Sequence, residues 1–252
     1  MQIKKLISIN VSLGTYAKFI NEFLSLAIAK DKNSSYVCIA NVHMLVEAYK
    51  DKDFQKIVND ADIVTPDGIP LAKGLKILYK IKQDRVAGMD VLPDLLKESE
   101  KQNLSVYFYG GTQKVLDKTQ EYCTYHFPKL KIAGMYSPPF RELTEEEKDE
   151  IIEKINSVSP NFVFVALGCP KQEKWMAAVK GKINACMLGI GGALPVMIGL
   201  KERAPVWMQT RGLEWLFRLY QEPRRLFKRY FVTNSIFIFL LLREKYIQIF
   251  RD

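Results

Sequence analysis

The sequence predicts an α/β fold: a mainly parallel, Rossmann-like sheet with helices on both faces, followed by a helical, basic C-terminal segment. Short apolar runs of strand length alternate with amphipathic stretches of helical period. This alternation favours strand–helix–strand units, which build parallel sheets covered on both faces. The composition, 48% hydrophobic and 26% charged over 252 residues, is that of a globular protein and excludes a disordered chain.

The individual elements follow from local patterns. Seven apolar runs are predicted as strands, at residues 3–9, 36–40, 63–65, 105–109, 131–134, 162–167 and 185–190. Helices are predicted between them, for example at residues 44–59, 112–127 and 144–156. Thr144 followed by Glu147 is typical of a capping box that opens a helix. We expect this α/β core to cover residues 1–200.

Residues 201–252 are expected to form a helical appendage that engages phosphate or a membrane surface. This fifth of the chain carries net charge +6 of the total +9. Its stretch 231–242 is nearly uncharged, yet a helix needs about 20 residues to cross a bilayer. A final core helix and an amphipathic segment lying on the membrane both stay open here. For an appendage, we expect truncation after Arg203 to leave a folded core.

Cysteine and histidine usage argues against a metal site. The four cysteines form no Cys-x-x-Cys pair and there are two histidines, so we expect reduced thiols and no structural zinc site. No metal and no cofactor are expected elsewhere in the chain. Asp60 and Asp62 have the outline of a metal clamp but precede a predicted strand, which is typical of a helix end. The chain opens without the hydrophobic region of a secretory signal, so we expect a cytoplasmic protein.

Ligands in an open parallel sheet bind beyond the carboxyl ends of the strands, so the residues there are the first candidates. Asp67 lies in a Pro-Asp-Gly turn after the strand at 63–65 and is a candidate general base, or an Asx-turn residue. Asn41 follows the strand at 36–40. Arg85 is a candidate clamp for a phosphate or carboxylate, or one partner of a surface ion pair.

Two glycine-containing turns follow later strands. Gly110 and Gly111 could let backbone N–H groups approach a phosphate, or could make a plain tight turn. Gly168 precedes Lys171 and Gln172, which could donate hydrogen bonds to an anionic or sugar-like ligand. The alternative for Lys171 and Gln172 is simple helix-start chemistry.

Arginine and aromatic side chains are interleaved in the C-terminal segment. Guanidinium groups suit diphosphate because their N–H groups form planar forks. The candidate diphosphate-binding residues are Arg203, Arg218, Arg224, Arg225 and Arg229.

These motifs, in this order, resemble the WecG/TagA/CpsF family of bacterial glycosyltransferases. The resemblance covers about residues 36–230 and is carried by Asn41 and the segments 61–68, 85–90, 108–111, 166–173, 203–205, 213–219 and 222–225. It implies inverting, metal-independent transfer of a hexosyl group from a UDP-sugar to a polyprenyl-diphosphate-linked sugar, in cell-surface polysaccharide synthesis. It also implies that Asp67 is the base, that Arg85 and Gln172 line the donor site, and that the C-terminal arginines meet diphosphate.

The sequence departs from other branches of the family after the second predicted strand. Asn41 is followed by Val-His-Met, which makes His43 a donor-site candidate or a helix-start residue. The donor sugar therefore stays open among glucose, N-acetylmannosamine and N-acetylmannosaminuronate. The segment 137–141 favours glucose, by resemblance to one branch only.

Two other classes of protein are alternatives. A Rossmann-type oxidoreductase would need a glycine fingerprint and an acidic ribose ligand, neither of which is present. A non-catalytic membrane or nucleic-acid binder would leave Asp67 and Gln172 without a role.

We expect a UDP-sugar, a polyprenyl-diphosphate-linked acceptor and the inner membrane surface as partners, and no nucleic acid. A homo-oligomer is compatible with the sequence.

Overall fold

The computed structural model describes residues 1–29 and 34–251. Within these residues lie eight strands: β1 (Gln2–Leu6), β2 (Ile9–Leu13), β3 (Ser35–Ala40), β4 (Ile63–Pro66), β5 (Ser105–Gly110), β6 (Lys131–Tyr136), β7 (Phe162–Ala166) and β8 (Cys186–Gly189). The helices are α1 (Tyr16–Ile28), α2 (Val42–Lys50), α3 (Lys52–Asn59), α4 (Ile69–Tyr79), α5 (Gly88–Lys101), α6 (Gln113–His126), α7 (Glu145–Ser157), α8 (Lys171–Ala178), α9 (Ala193–Met197), α10 (Val206–Arg211), α11 (Glu214–Gln221) and α12 (Pro223–Arg251).

The predicted fold class is confirmed. Six strands form one sheet in the order β4-β3-β8-β7-β5-β6. The pairs β3–β8, β8–β7, β7–β5 and β5–β6 are parallel, with helices between the strands along the chain. The capping box is also present: the Thr144 hydroxyl accepts from the Glu147 N–H at 3.3 Å, and the Glu147 carboxylate accepts from the Thr144 N–H at 3.0 Å.

Two predicted elements are each divided in the structure. The run at 3–9 is not one strand, because the chain turns at Ile7 (φ 60°) and β1 pairs antiparallel with β2 as a hairpin. The stretch 44–59 is two helices, because Asp51 has extended backbone angles between α2 and α3. Its carboxylate accepts hydrogen bonds from the N–H groups of Asp53 and Phe54 and so caps α3.

The chain forms two compact units. The first comprises Met1–Tyr16, Ile39–Ala87 and Glu202–Asp252, and the second comprises Ala17–Cys38 and Gly88–Lys201. The C-terminal segment therefore belongs to the same unit as the N-terminal hairpin. The predicted boundary between a core at 1–200 and an appendage at 201–252 stays a prediction.

The centre of the second unit is aromatic. Phe108, Phe162 and Phe164 are fully buried on neighbouring strands. The Phe164 ring centroid lies 5.6 Å from that of Phe108 and 5.7 Å from that of Phe162, the spacing at which aromatic rings attract one another. This buried packing fixes β5 and β7, and so fixes the turns that follow their carboxyl ends.

Helix α12 has one buried face in the first unit. Leu226, Phe237, Leu240 and Leu241 are buried where α12 packs against α2, α4 and α11. The rest of the helix exposes large apolar side chains, including Phe231 at 68% and Leu242 at 65%. Across residues 1–29 and 34–251, no helix is both long and apolar enough to span a membrane.

Candidate functional site

The predicted site residues fall in both compact units, nine in the first and five in the second. The first unit holds Asn41, His43, Asp67, Arg85, Arg203, Arg218, Arg224, Arg225 and Arg229. The second unit holds Gly110, Gly111, Gly168, Lys171 and Gln172.

Backbone hydrogen bonds hold Asp67 directly after β4. Its N–H donates to the carbonyl of Ala40, the last residue of β3, at 2.7 Å. The N–H of Val86 donates to the carbonyl of Pro66 at 3.0 Å. Gly68 follows with φ 96°, a left-handed value that glycine adopts without strain. Asp67 is half-buried in this turn, at a strand end where ligands bind in α/β sheets.

The same two bonds bring Asn41 and Arg85 to Asp67. Ala40 immediately precedes Asn41, and Arg85 immediately precedes Val86, so three predicted residues lie at one end of β3 and β4. The Asn41 side-chain oxygen accepts the Met44 N–H at 3.1 Å and caps α2. Asn41 therefore has a structural role at the strand end whose backbone also holds the turn of Asp67.

Arg85 forms an ion pair with Glu214 of α11. Both side chains are largely buried, with exposed fractions of 18% and 15%. One carboxylate oxygen of Glu214, Oε1, is buried with no hydrogen-bond partner among the described residues. This pair is too enclosed to be a surface ion pair, and it ties α11 to the strand end that carries Asp67.

His43 lies in the first turn of α2, near Arg229 of α12. Burial lowers the pKa of His43, the positive charge of Arg229 lowers it further, and Glu47 opposes both. The net effect favours the neutral form of the His43 imidazole. Its Nδ1 and the Nε of Arg229 are both buried without a hydrogen-bond partner in the described part of the chain. Unsatisfied polar groups of this kind suit an anionic ligand.

The remaining C-terminal arginines differ in exposure. Arg203 and Arg218 are half-buried, whereas Arg224 and Arg225 are exposed. Arg225 pairs with Glu222 one helical turn earlier. The two half-buried arginines, together with Arg229, are thus the better placed of the five to hold a ligand out of bulk water, where charge interactions are stronger.

In the second unit, Gly110 and Gly111 make a turn that only glycine fits. Their φ angles are 109° and 80°, and a Cβ on Gly110 would lie 2.8 Å from the carbonyl of Ala166. The Gly111 carbonyl accepts a hydrogen bond from the Ser137 hydroxyl at 2.7 Å. Close packing of β5 against β7 therefore explains Gly110 without a ligand, the left-handed φ explains Gly111, and phosphate contact stays a prediction.

Gln172 is buried at the start of α8, and Lys171 beside it is exposed. The Gln172 Oε1 accepts the Gly168 N–H at 3.1 Å, and its Nε2 donates to Glu173 Oε1 at 2.7 Å. Gly168 has φ 79°, in the left-handed region. The Gln172 side chain, which the sequence predicts to face a ligand, therefore also stabilises the turn that follows β7.

No function was predicted from the sequence for two acidic residues that contact predicted site residues, Glu173 and Glu214. Glu173 is fully buried, and burial raises the pKa of its carboxyl to about 7, although the hydrogen bond from Gln172 acts in the opposite direction. Glu214 is the partner of Arg85. Both lie inside recognised motifs, at 166–173 and 213–219, but an acidic residue in a first helical turn ordinarily signals only helix capping.

The described residues contain no group of three or more His, Cys, Asp or Glu side chains that could hold a metal ion. Asp60 is the C-terminal cap of α3 and precedes β4, as predicted for a helix-end residue.

A parallel α/β sheet with a half-buried carboxylate at one strand end is typical of the α/β class of enzymes, which bind their ligands there. The sequence model of the glycosyl transferase WecG/TagA/CpsF family matches residues 4–250. The chain therefore belongs to this family, which confirms the predicted resemblance and the prediction of a glycosyltransferase. Membership of this family argues against both alternative functions, the Rossmann-type oxidoreductase and the non-catalytic binder.

Several curated relatives share one name, N-acetylglucosaminyldiphosphoundecaprenol N-acetyl-beta-D-mannosaminyltransferase. The Bacillus spizizenii protein is 30% identical over 226 residues, which cover 89% of this chain and 86% of the relative. The Bacillus subtilis protein is 29% identical, with the same two coverages. A Staphylococcus aureus protein is 24% identical over 77% of this chain and 75% of the relative.

Proposed function

We propose that the chain transfers a hexosyl group from a UDP-sugar to a polyprenyl-diphosphate-linked sugar, in the synthesis of a cell-surface polysaccharide. The family match over residues 4–250 carries this proposal. The names of the relatives favour N-acetylmannosamine as the transferred sugar and N-acetylglucosaminyl-diphosphoundecaprenol as the acceptor. Glucose and N-acetylmannosaminuronate are the competing donor sugars.

Asp67 is the general base in this proposal. Its carboxylate takes the proton of the acceptor hydroxyl while that oxygen attacks C1 of the donor sugar. The bond between C1 and the UDP oxygen breaks, UDP leaves with the bonding electrons, and the configuration at C1 inverts. The turn that holds Asp67 supports this role, because it fixes a half-buried carboxylate directly after β4.

Arginines supply the positive charge that the departing UDP needs, in place of a metal ion. In this proposal Asn41, His43, Arg85 and Gln172 each bind the donor, and the C-terminal arginines bind diphosphate. The support is chemical: guanidinium forks match phosphate oxygens, and Arg203, Arg218 and Arg229 are half-buried. We expect activity to survive treatment with EDTA.

The protein is proposed to act from the cytoplasmic face of the membrane, as a peripheral enzyme. An acceptor with a polyprenyl tail is held in the bilayer, so the enzyme must work at its surface. The exposed apolar residues and basic residues of α12 support this location, because apolar burial and attraction to anionic lipid act together. Assembly as a homo-oligomer stays a prediction, which sedimentation analysis of the purified chain checks.

A donor screen tests the proposed function. The full chain is incubated with an N-acetylglucosaminyl-diphosphate carrying a short polyprenyl or alkyl tail, and with each of the three UDP-sugars in turn, with and without EDTA. We expect UDP release that depends on the acceptor and is fastest with UDP-N-acetylmannosamine. Release that needs added Mg²⁺ or Mn²⁺ would overturn the arginine-based account, and no release with any UDP-sugar would overturn the function.

A further inference from the structure

Glu173 is a buried carboxyl group that the proposed reaction does not use. Its side chain is 0% exposed, on the third residue of α8. Burial of a carboxyl costs free energy unless its hydrogen bonds are made, so such a group is seldom kept without a partner. Its partners here are the amide of Gln172, whose Nε2 lies 2.7 Å from Oε1, and the side chain of Cys169.

The two ends of the Gln172 amide are chemically distinct, and each faces the group that it requires. The Gly168 N–H can only donate and meets Oε1 at 3.1 Å. Glu173 Oε1 accepts from Nε2. If the amide were rotated by 180°, two donors would face each other at Gly168, and two acceptors would face each other at the ionised Glu173 carboxylate. The neighbours of Gln172 therefore fix its orientation.

Two glycines lie against this amide. A Cβ on Gly189 would lie 2.7 Å from Gln172 Nε2, and one on Gly191 would lie 3.3 Å from Oε1. Both glycines belong to the carboxyl end of β8 or the residues just after it. The Trp175 ring also fixes helix α8, because it stacks on the Tyr109 ring of β5 with 4.1 Å between the ring centroids.

We propose that Glu173 is a positioning residue for glycosyl transfer: its carboxyl orients the Gln172 amide, which in turn holds the Gly168 turn after β7. This inference rests on the proposed function, which places Gly168 and Gln172 in the donor site. Glu173 itself touches neither substrate. Its effect reaches the donor only through Gln172.

Acceptor-free variants at position 173 test this proposal. Glu173→Leu and Glu173→Met remove the acceptor while filling the buried volume, whereas Glu173→Gln retains a carbonyl oxygen that can accept from Gln172. Glu153→Gln, on the exposed side of α7, is the matched control for loss of one negative charge. All four are compared with the wild type by thermal melting, by KM for the donor and by kcat.

We expect Glu173→Leu and Glu173→Met to raise KM for the donor by about 10–100-fold, the scale that displacement of a substrate-positioning group produces. Glu173→Gln should restore KM to within about threefold of the wild type, and Glu153→Gln should leave it unchanged. A purely structural role would lower the folded fraction, and so the apparent kcat, but not KM of the molecules that fold.

A double-mutant cycle tests whether Glu173 acts through Gln172. In a Gln172→Met background, Glu173→Leu should have no further effect on KM, because the group that it positions is gone. An equal KM effect in both backgrounds would overturn the proposal. So would an unchanged KM in Glu173→Leu and Glu173→Met, or failure of both variants to fold.

The dissociation constant for UDP, measured by calorimetry, separates this proposal from the proposed function. A wild-type chain that binds UDP without turning over any UDP-sugar would overturn the function. The same Glu173 variants would then still be tested by their UDP affinity. If they bind UDP as the wild type does, the positioning role fails on its own.

Discussion

Asp67 is the residue on which the proposed chemistry depends most directly. We expect Asp67→Asn to lower kcat by about 10²–10⁴-fold, the usual contribution of a general base. Affinity for UDP should change little, because Asp67 acts on the acceptor hydroxyl. Steady-state kinetics and calorimetry measure the two quantities. Asp62→Asn, an exposed change five residues earlier, is the control and should keep full activity. Near-normal turnover in Asp67→Asn would remove Asp67 from the mechanism.

Glu173 makes a separate prediction about stability and pH. Its pKa is about 7 in the folded chain, against an ordinary value of 4.5. The folded state therefore holds this proton more tightly, so the contribution to the free energy of unfolding is full below about pH 4.5 and is lost as pH rises to about 7. The loss is on the order of a few kcal/mol.

Thermal melting between pH 4.5 and 8 checks this. The Tm of the wild type should fall relative to that of Glu173→Gln as pH rises through this range, because the glutamine does not titrate. Other titrating groups are common to both proteins and cancel in the difference. A constant difference in Tm would mean that Glu173 keeps an ordinary pKa.

Roles of single residues were predictable from the sequence where they depend on a local pattern. Thr144 and Glu147 follow the spacing of a capping box, and the structure has both bonds. It missed the pairing of Arg85 with Glu214, because these residues are 129 positions apart and no local pattern relates them. The role of Glu173 was missed for a different reason: in sequence it is indistinguishable from an ordinary acidic residue in a first helical turn.

For secondary-structure elements, sequence periodicity predicted the positions of strands and helices better than the points at which one element divides into two. The strand at 162–167 was predicted almost to its ends, as β7 shows. The hairpin at Ile7 was missed because that turn uses a left-handed isoleucine rather than the glycine or asparagine that usually signals one. The division at Asp51 was missed because the apolar pattern continues across it.

Gly212 controls how α10 leads into α11. Its φ is 76°, and a Cβ there would lie 3.0 Å from the Cβ of Ile69 on α4. We expect Gly212→Ala to lower the free energy of unfolding by about 1–2 kcal/mol from left-handed strain and by about 1–3 kcal/mol more from crowding. Chemical denaturation measures the sum.

Gly199→Ala is the matched control for this change. Gly199 has a similar φ, 72°, but a Cβ there has no neighbour within 4 Å. It should therefore show only the strain. Equal losses in the two variants would mean that Ile69 moves aside freely, and that α10 and α11 are not fixed against α4 at this point.

At the scale of the whole chain, α12 combines the two alternatives that the sequence left open. It buries Leu226, Phe237, Leu240 and Leu241 within the first unit and exposes other apolar residues. Removing everything after Arg203 would uncover the surfaces of α2 and α4 against which α12 packs. The structure therefore favours loss of stability on truncation over the folded core expected for an appendage, so point substitutions are the better test.

The same leucine-to-aspartate change at positions 240 and 242 tests the buried and the exposed face of α12 separately. Leu240 is 1% exposed and Leu242 is 65% exposed. Leu240→Asp places an unpaired charge in the core and should unfold the chain or lower its Tm sharply. Leu242→Asp should leave the Tm nearly unchanged but weaken co-sedimentation with vesicles of anionic lipid by about tenfold or more, since it loses about 1.5–3 kcal/mol of apolar burial and adds repulsion.

Salt dependence then divides the membrane attraction into its parts. For the wild type, raising the ionic strength should weaken vesicle binding without abolishing it, because salt screens the basic residues but not apolar burial. Leu242→Asp retains the basic residues, so its remaining binding should fall more steeply with salt. If Leu242→Asp binds vesicles as the wild type does, the exposed face of α12 does not dock on lipid. If Leu240→Asp melts as the wild type does, α12 is not part of the folded unit.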